Sequence, residues 1–302
     1  MKKHKICKIL LVILAIFLCV AFYELLGICV AYKKQPEVSN TTKKETKNGS
    51  WNECSENTER AVIIEKNPEA LLQRVRLIKN AKKEIILSTF AFQSDESGKL
   101  ILGALHDAAD RGVHIRLLVD GMESWIDMEG NPYFYGLSSH ENVEIKLYNK
   151  ANPLKPWKMM GRMHDKYLIA DGKRYILGGR NTYNYFLGDF PGHKNYDRDV
   201  LVVCDEPEKE NSVNQLSEYF ETIWNQEDSG YFHNNKKLAN RKSVKNAVLE
   251  LQNSYQKYFE ENKERICDTD YTDETFETEK IALVSNPIHT GSKEPVVWYQ
   301  LG

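Results

Sequence analysis

In this 302-residue chain, the side chains best suited to chemistry are one imidazole and one ammonium two positions apart. They are His164 and Lys166, within residues 161–181, GRMHDKYLIADGKRYILGGRN. The pattern predicts a strand over 163–170, a tight hairpin at Asp171-Gly172 and a return strand over 175–177. Positions i and i+2 of a strand share a face, so His164 and Lys166 project together while Asp165 points away. Gly178-Gly179 would let backbone pass close to a ligand, and Asn181 follows as a polar hydrogen-bonding group. A lysine can neutralise the nonbridging oxygens of a phosphodiester, and a histidine can attack phosphorus or move a proton. Neither a second carboxylate nor a cysteine cluster suggests a metal, and the chemistry calls for no cofactor. Taken alone, the pair is better read as a surface histidine on a hairpin.

The elements that would carry these residues alternate. A short apolar strand over 61–64 precedes Asn67-Pro68, a helix start with a cap and proline in the first turn. Residues 84–92, EIILSTFAF, read as a buried strand. A helix over 100–109 ends near Gly112, a strand covers 113–119 and ends at Asp120-Gly121, and another covers 143–148. This alternation predicts an α/β fold with a mixed, largely parallel sheet flanked by helices. Ligands then gather at the carboxyl ends of strands. Asp120 lies at such an end, where a plain turn aspartate is the simpler reading. Val244, Ala247, Val248, Leu251, Tyr255 and Tyr258 recur at helical spacing, so 235–265 should hold an amphipathic helix, docked on the body or lying on a membrane.

The whole string is more specific than its parts. It resembles the H-x-K-x4-D signature of the phospholipase D superfamily, with His164, Lys166 and Asp171 in register. Gly178, Gly179 and Asn181 stand where that superfamily has G-[GS]-x-N. Residues 78–119 and 196–225 resemble the first lobe of bacterial cardiolipin synthase-type members. The resemblance covers roughly 60–290. It implies that His164 is the nucleophile or general acid of a phosphohistidine mechanism, and that Lys166 and Asn181 hold phosphoryl oxygens. Asp171 would orient an imidazole, and the role of Arg180 is open. Related synthases have an acidic pair near Asp197 and Asp199; a strand-edge ion pair with Arg198 would account for at least one of these.

A complete site in this superfamily uses two such motifs. Here none of His4, His106, His114, His140, His193, His233 and His289 is followed by lysine two positions on. Residues 281–287, IALVSNP, echo AVIIEKNP at 61–68, so a second lobe is expected to begin there and stop. The rival expectation is a homodimer pairing His164 with its copy.

Residues 1–34 carry a net charge of +5 and the rest −7, which together give −2. An acidic body has no general pull on nucleic acid, which is therefore an unlikely partner. Residues 9–23 are all apolar and the run resumes after Glu24, which is long enough for a membrane anchor. Four lysines before the run and two after it place the N-terminus in the cytoplasm and the body on the other side. Residues 35–59 read as a polar stalk. Residues 151–159, with Trp157 between lysines, could dip toward lipid headgroups or equally form an ordinary surface loop. The cysteines show no metal-type spacing. The expected organisation is an anchor (1–34), a stalk (35–59), a phospholipase D-like lobe (60–280) and the start of a second lobe (281–302). The expected function is a membrane-anchored, cardiolipin synthase-like phosphatidyltransferase acting on membrane phospholipid. The alternatives are a nuclease or hydrolytic phospholipase of the superfamily, and an inactive half-protein that binds lipid or a partner.

Overall fold

The computed structural model describes residues 2–33, 59–156, 158, 161–204, 211–279, 281 and 283–285. Residues 34–58, where the stalk is expected, Trp157 and the stretch after 285 lie outside the described residues. Helix α1 (Lys2–Lys33) contains an apolar window, Lys5–Gly27, of 23 residues. At about 1.5 Å per residue this exceeds the ~30 Å of a hydrocarbon core.

The body is one nine-stranded sheet with helices on both faces. Its strands are β1 (Glu59–Ile64), β2 (Glu84–Thr89), β3 (His114–Asp120), β4 (Val143–Tyr148) and β5 (Tyr167–Ala170). They continue with β6 (Arg174–Gly178), β7 (Asp199–Cys204), β8 (Ser229–Tyr231) and β9 (Phe276–Thr278). The order across the sheet is β8-β4-β3-β2-β5-β6-β7-β1-β9. Only the β2–β3 and β3–β4 pairings are parallel; the other six are antiparallel. The expectation of a largely parallel sheet is therefore wrong. Helical crossovers join β2, β3 and β4, as parallel neighbours require. Beyond β4 the chain returns instead by the tight Asp171-Gly172 turn, and β1 sits far from β2, between β7 and β9. The strand expected from Met163 also joins the ladder only at Tyr167.

Burial follows strand alternation. Ile85, Leu87, Ile115, Leu117, Leu168 and Ala170 face a core built with α2 (Asn67–Asn80), α3 (Glu96–Asp110), α5 (Pro132–Ser138) and α7 (Lys242–Glu261). Between α3 and α5 lies the short α4 (Gly121–Asp127). Ile86, Leu118, Tyr167, Ile169 and Val202 face the other way, onto Leu216, Phe220 and Trp224 of α6 (Ser212–Trp224). The amphipathic helix α7 docks on the body, burying Val244, Ala247, Leu251 and Tyr255. It crosses α3 so closely that a Cβ on Gly103 would collide with the Leu251 carbonyl and the Tyr255 Cβ.

Candidate active site

Four chain segments meet at one end of the sheet. They are the carboxyl ends of β2 and β6 and the segments leading into β5 and β7, because β5 and β7 run opposite to their neighbours. Phe90, just beyond β2, is the hub. The His164 ring meets its edge with 4.6 Å between centroids. Lys166 Nζ lies 5.4 Å and Arg162 Cζ 4.9 Å from the same ring centre, so two cations share one aromatic ring. His164 is exposed, whereas Lys166 is only 5% exposed. The structure thus brings His164 and Lys166 to one side, beside solvent.

Local bonds fix this segment before it enters the ladder. Lys166 Nζ donates to the His164 carbonyl at 2.7 Å. The Gly178 amide donates to the Lys166 carbonyl at 3.1 Å. Asp120, at the end of β3, accepts from Arg162 Nε at 2.9 Å and from the Met163 amide at 3.0 Å. It also caps α4 through the Met122 and Glu123 amides. Asp120 is therefore a helix cap, as a turn aspartate can be, that also ties the end of β3 to the segment before His164. Asp165 turns to the opposite face, where Tyr219 Oη of α6 donates to it at 2.8 Å.

The glycine and asparagine element forms the facing wall. Gly178 and Gly179 admit the carboxylates of Asp199 and Asp197, and a Cβ at either position would collide with them. Asn181 is buried and its Oδ1 accepts from the Ala91 amide at 3.3 Å, next to Phe90. Arg180 turns inward: it donates to the Asn67 side chain and to the Ile64 and Glu65 carbonyls. It also pairs with Asp199 at 3.3 Å, which Arg74 approaches at 2.8 Å from α2. Asp199 is thus held between two buried guanidiniums, not by Arg198, whose side chain pairs with Glu65.

Asp171 is not part of this cluster. It sits past the far end of β5, and four strand residues of about 3.3 Å each separate that end from the catalytic segment. Its carboxylate accepts from the amides of Lys82 and Lys83, in the turn before β2, and of Glu84, the first residue of β2. Its φ of 55° is the left-handed conformation that aspartate tolerates better than most residues.

Burial shapes the electrostatics. It draws the Lys166 ammonium down to about 8, against the opposing pull of Asp165 and Asp197. It raises Asp165 to about 6, against the Tyr219 hydrogen bond and the Lys166 charge. Burial, then the positive charges of Lys166 and Arg162, hold His164 below its ordinary value. At neutral pH the site thus offers an uncharged imidazole beside a cation, as nucleophilic attack on a phosphodiester requires. Among the described residues no group of three or more His, Cys, Asp and Glu side chains is arranged to hold a metal ion.

Phe90, Arg162, Arg74 and Tyr219 escape the sequence reading as site components, whereas Asp120 is placed by it at a strand's carboxyl end and read there as a plain turn aspartate. Arg162 alone left a usable signal, because 162, 164 and 166 share strand parity.

A sheet carrying an imidazole–ammonium pair opposite a Gly-Gly-x-Asn wall defines a phosphodiester-type lobe. Residues 74–224 match the family described as "Cardiolipin synthase, PLD-like domain". The chain belongs to the phospholipase D superfamily. An uncharacterized protein of Helicobacter pylori strain J99 is 30% identical over 65% of this chain and 39% of its own length. Cardiolipin synthase C of Escherichia coli K12 is 30% identical over 46% of this chain and 31% of its own. NucT from Helicobacter pylori superposes over 58% of this chain and 99% of its own, with a TM-score of 0.45 and 18% identity. The chain spans at most about two fifths of the length of these two curated relatives.

Proposed function

We propose that this chain is a membrane-anchored phosphodiesterase whose nucleophile is His164. One imidazole nitrogen attacks phosphorus, a P–N bond forms, and the P–O bond to the leaving alkoxide breaks as that oxygen takes a proton from a general acid. Water then attacks the phosphohistidine, the P–N bond breaks, and a phosphate monoester leaves. Lys166 and Asn181 hold the nonbridging oxygens as charge builds on them. Gly179 keeps the wall thin enough for Asp197 to sit near Lys166, Gly178 does the same for Asp199, and Asp120 with Arg162 fixes the segment that carries the nucleophile. The observation behind this reading is an exposed imidazole and a buried ammonium meeting at Phe90. The general acid would come from a second lobe, in the same polypeptide or in a second copy.

A second reading replaces water with a lipid alcohol, making the protein a phosphatidyltransferase. The description of its family and the name of its Escherichia coli relative favour it, as does the apolar helix α1.

One experiment separates these. The purified full chain in nanodiscs is incubated with labelled phosphatidylglycerol, with phosphatidylcholine plus a primary alcohol, and with single-stranded DNA. Free phosphatidic acid or shortened DNA, abolished in His164→Ala, supports hydrolysis and names the substrate class. Cardiolipin or phosphatidyl-alcohol in its place supports transfer. No turnover of any substrate sinks both readings and leaves a lobe that only binds.

A further inference from the structure

Three large apolar side chains of the body stand in the open near helix α1. Trp125 and Ile126, on α4, are each 64% exposed, and Leu154, in the loop after β4, is 78% exposed. Single exposed hydrophobics are ordinary. These three differ in what they adjoin. Tyr23 Oη of α1 donates to the Leu154 carbonyl at 3.0 Å. Glu24 lines one cleft together with Met122, Trp125 and Pro153. The patch is therefore continuous with the apolar helix itself.

Depth identifies the occupant. The apolar window of α1 ends at Gly27, four residues past Tyr23. At about 1.5 Å per residue, Tyr23 lies about 6 Å inside that end. A body that touches α1 at Tyr23 and Glu24 thus holds Leu154 and Trp125 level with the boundary between acyl chains and headgroups. Tryptophan concentrates at that depth, and apolar faces of surface-lying helices sink about 5–10 Å into it. Lys155, next to Leu154 and exposed, would be placed to meet lipid phosphates.

We propose that Trp125, Ile126 and Leu154 form a bilayer-seated surface beside α1. The surface is joined to the candidate active site, since Arg162 donates to Glu123 of α4 at 2.7 Å and to Asp120, the cap of the same helix, at 2.9 Å. Seating α4 on the membrane therefore orients the segment that carries His164, whatever phosphodiester it cleaves. The proposal rests on α1 lying in a membrane.

The test uses p-benzoylphenylalanine incorporated singly at Trp125, Leu154, Phe17 or Phe276 of the full chain, in nanodiscs containing tritiated phosphatidylglycerol. Phe17 reports the bilayer position of α1. Phe276, 73% exposed on the edge strand β9, is the control for random contact. All four side chains are exposed, which spares the core. Lipid adducts at Trp125 and Leu154 several-fold above Phe276 are expected, with strong labelling at Phe17. Labelling at Phe17 but only control levels at Trp125 and Leu154 overturns the proposal while leaving the anchor intact. Absent labelling at Phe17 overturns both. Protein–protein adducts at Trp125 in place of lipid adducts overturn it in favour of a second copy.

Discussion

His164 and Lys166 are needed in opposite protonation states, so the working pH window lies between their titrations, and Asp165 moves its alkaline edge. In the proposed mechanism His164 attacks as the neutral imidazole, and its environment holds it below its ordinary value. Lys166 must be charged to hold phosphate oxygens, and it loses its proton near 8. The rate of phosphohistidine formation should therefore rise through the acid range below pH ~6.5, level off near neutrality and fall again near pH 8. Asp165 props up the Lys166 charge, so Asp165→Asn should move the alkaline limb below 8 without touching the nucleophile. A single-turnover pH profile of the two proteins checks this. The same variant should alter stability in a defined direction. The folded Asp165 carboxyl, near 6, binds a proton that the unfolded one, near its ordinary value of 3.8, has released. Stability from this group is therefore full below the unfolded value, is lost as pH rises to about 6, and stays lost above that. A rise from 3.8 to about 6 corresponds to roughly 3 kcal/mol at most. Asn keeps an acceptor for Tyr219, so urea melts should show Asp165→Asn more stable than the parent at pH 7 by about 1–3 kcal/mol, with the gain vanishing toward pH 4. The parity of 164, 165 and 166 was legible in the sequence, and the structure keeps it although the ladder begins only at Tyr167. Burial was not legible: nothing local to Asp165 says that α6 covers it, because Tyr219 lies 54 positions away.

At the scale of elements, two aspartates show how differently one side-chain type can serve a sheet. Asp171 ties the β5–β6 turn to the start of β2 through three backbone amides, at the end of the sheet away from the nucleophile. Asp171→Ala should cost about 1–3 kcal/mol in denaturant stability and leave kcat of the folded enzyme within a few-fold of the parent. A kcat loss as deep as that of His164→Ala would restore the imidazole-orienting role expected from the resemblance. Asp120 binds α4, Arg162 and Met163 together, and is 1% exposed. Burial raises its carboxyl and the Arg162 charge opposes that rise. Asp120→Ala leaves three amides unpaired and Arg162 with Glu123 as its remaining carboxylate, so about 3 kcal/mol of stability should go. Its kcat should fall together with that of Arg162→Ala, and the double variant should lose little more than either single one, since neighbours in one network do not add. The turn at Asp171-Gly172 was readable as a hairpin, and the β2–α3–β3 crossover as a parallel unit. Which strands would lie side by side was not readable. The central strands are apolar on both faces, and a strand buried on both sides carries no mark of its neighbour's direction. The same limit hid Arg180 and Arg74, whose shared partner Asp199 is 125 positions from Arg74.

At the scale of the whole molecule, the open question is where the proton for the leaving alkoxide comes from. At the candidate site the described body offers one exposed imidazole, His164, beside one ammonium, Lys166. Its other histidines are engaged elsewhere: His106 and His140 with Asp110, His114 with Glu144, His233 with Glu129, and His193 with Asn195. An alkoxide departing without a proton donor is a poor leaving group, so a second imidazole would have to face His164 from another lobe. If that lobe is a second copy, a twofold axis would bring His164 to His164, with each serving as nucleophile on one half-turn and as acid on the other. This has a quantitative signature. Wild-type and His164→Ala chains, co-expressed with different tags and purified as a mixture, pair at random. Two copies forming one site would make activity fall as the square of the wild-type fraction, leaving about one quarter at an even mixture. A lobe completed within its own polypeptide, or acting by itself, would leave about one half. The linear result would rule out the homodimeric site. The quadratic one would mean that the acid is supplied by the histidine of another chain.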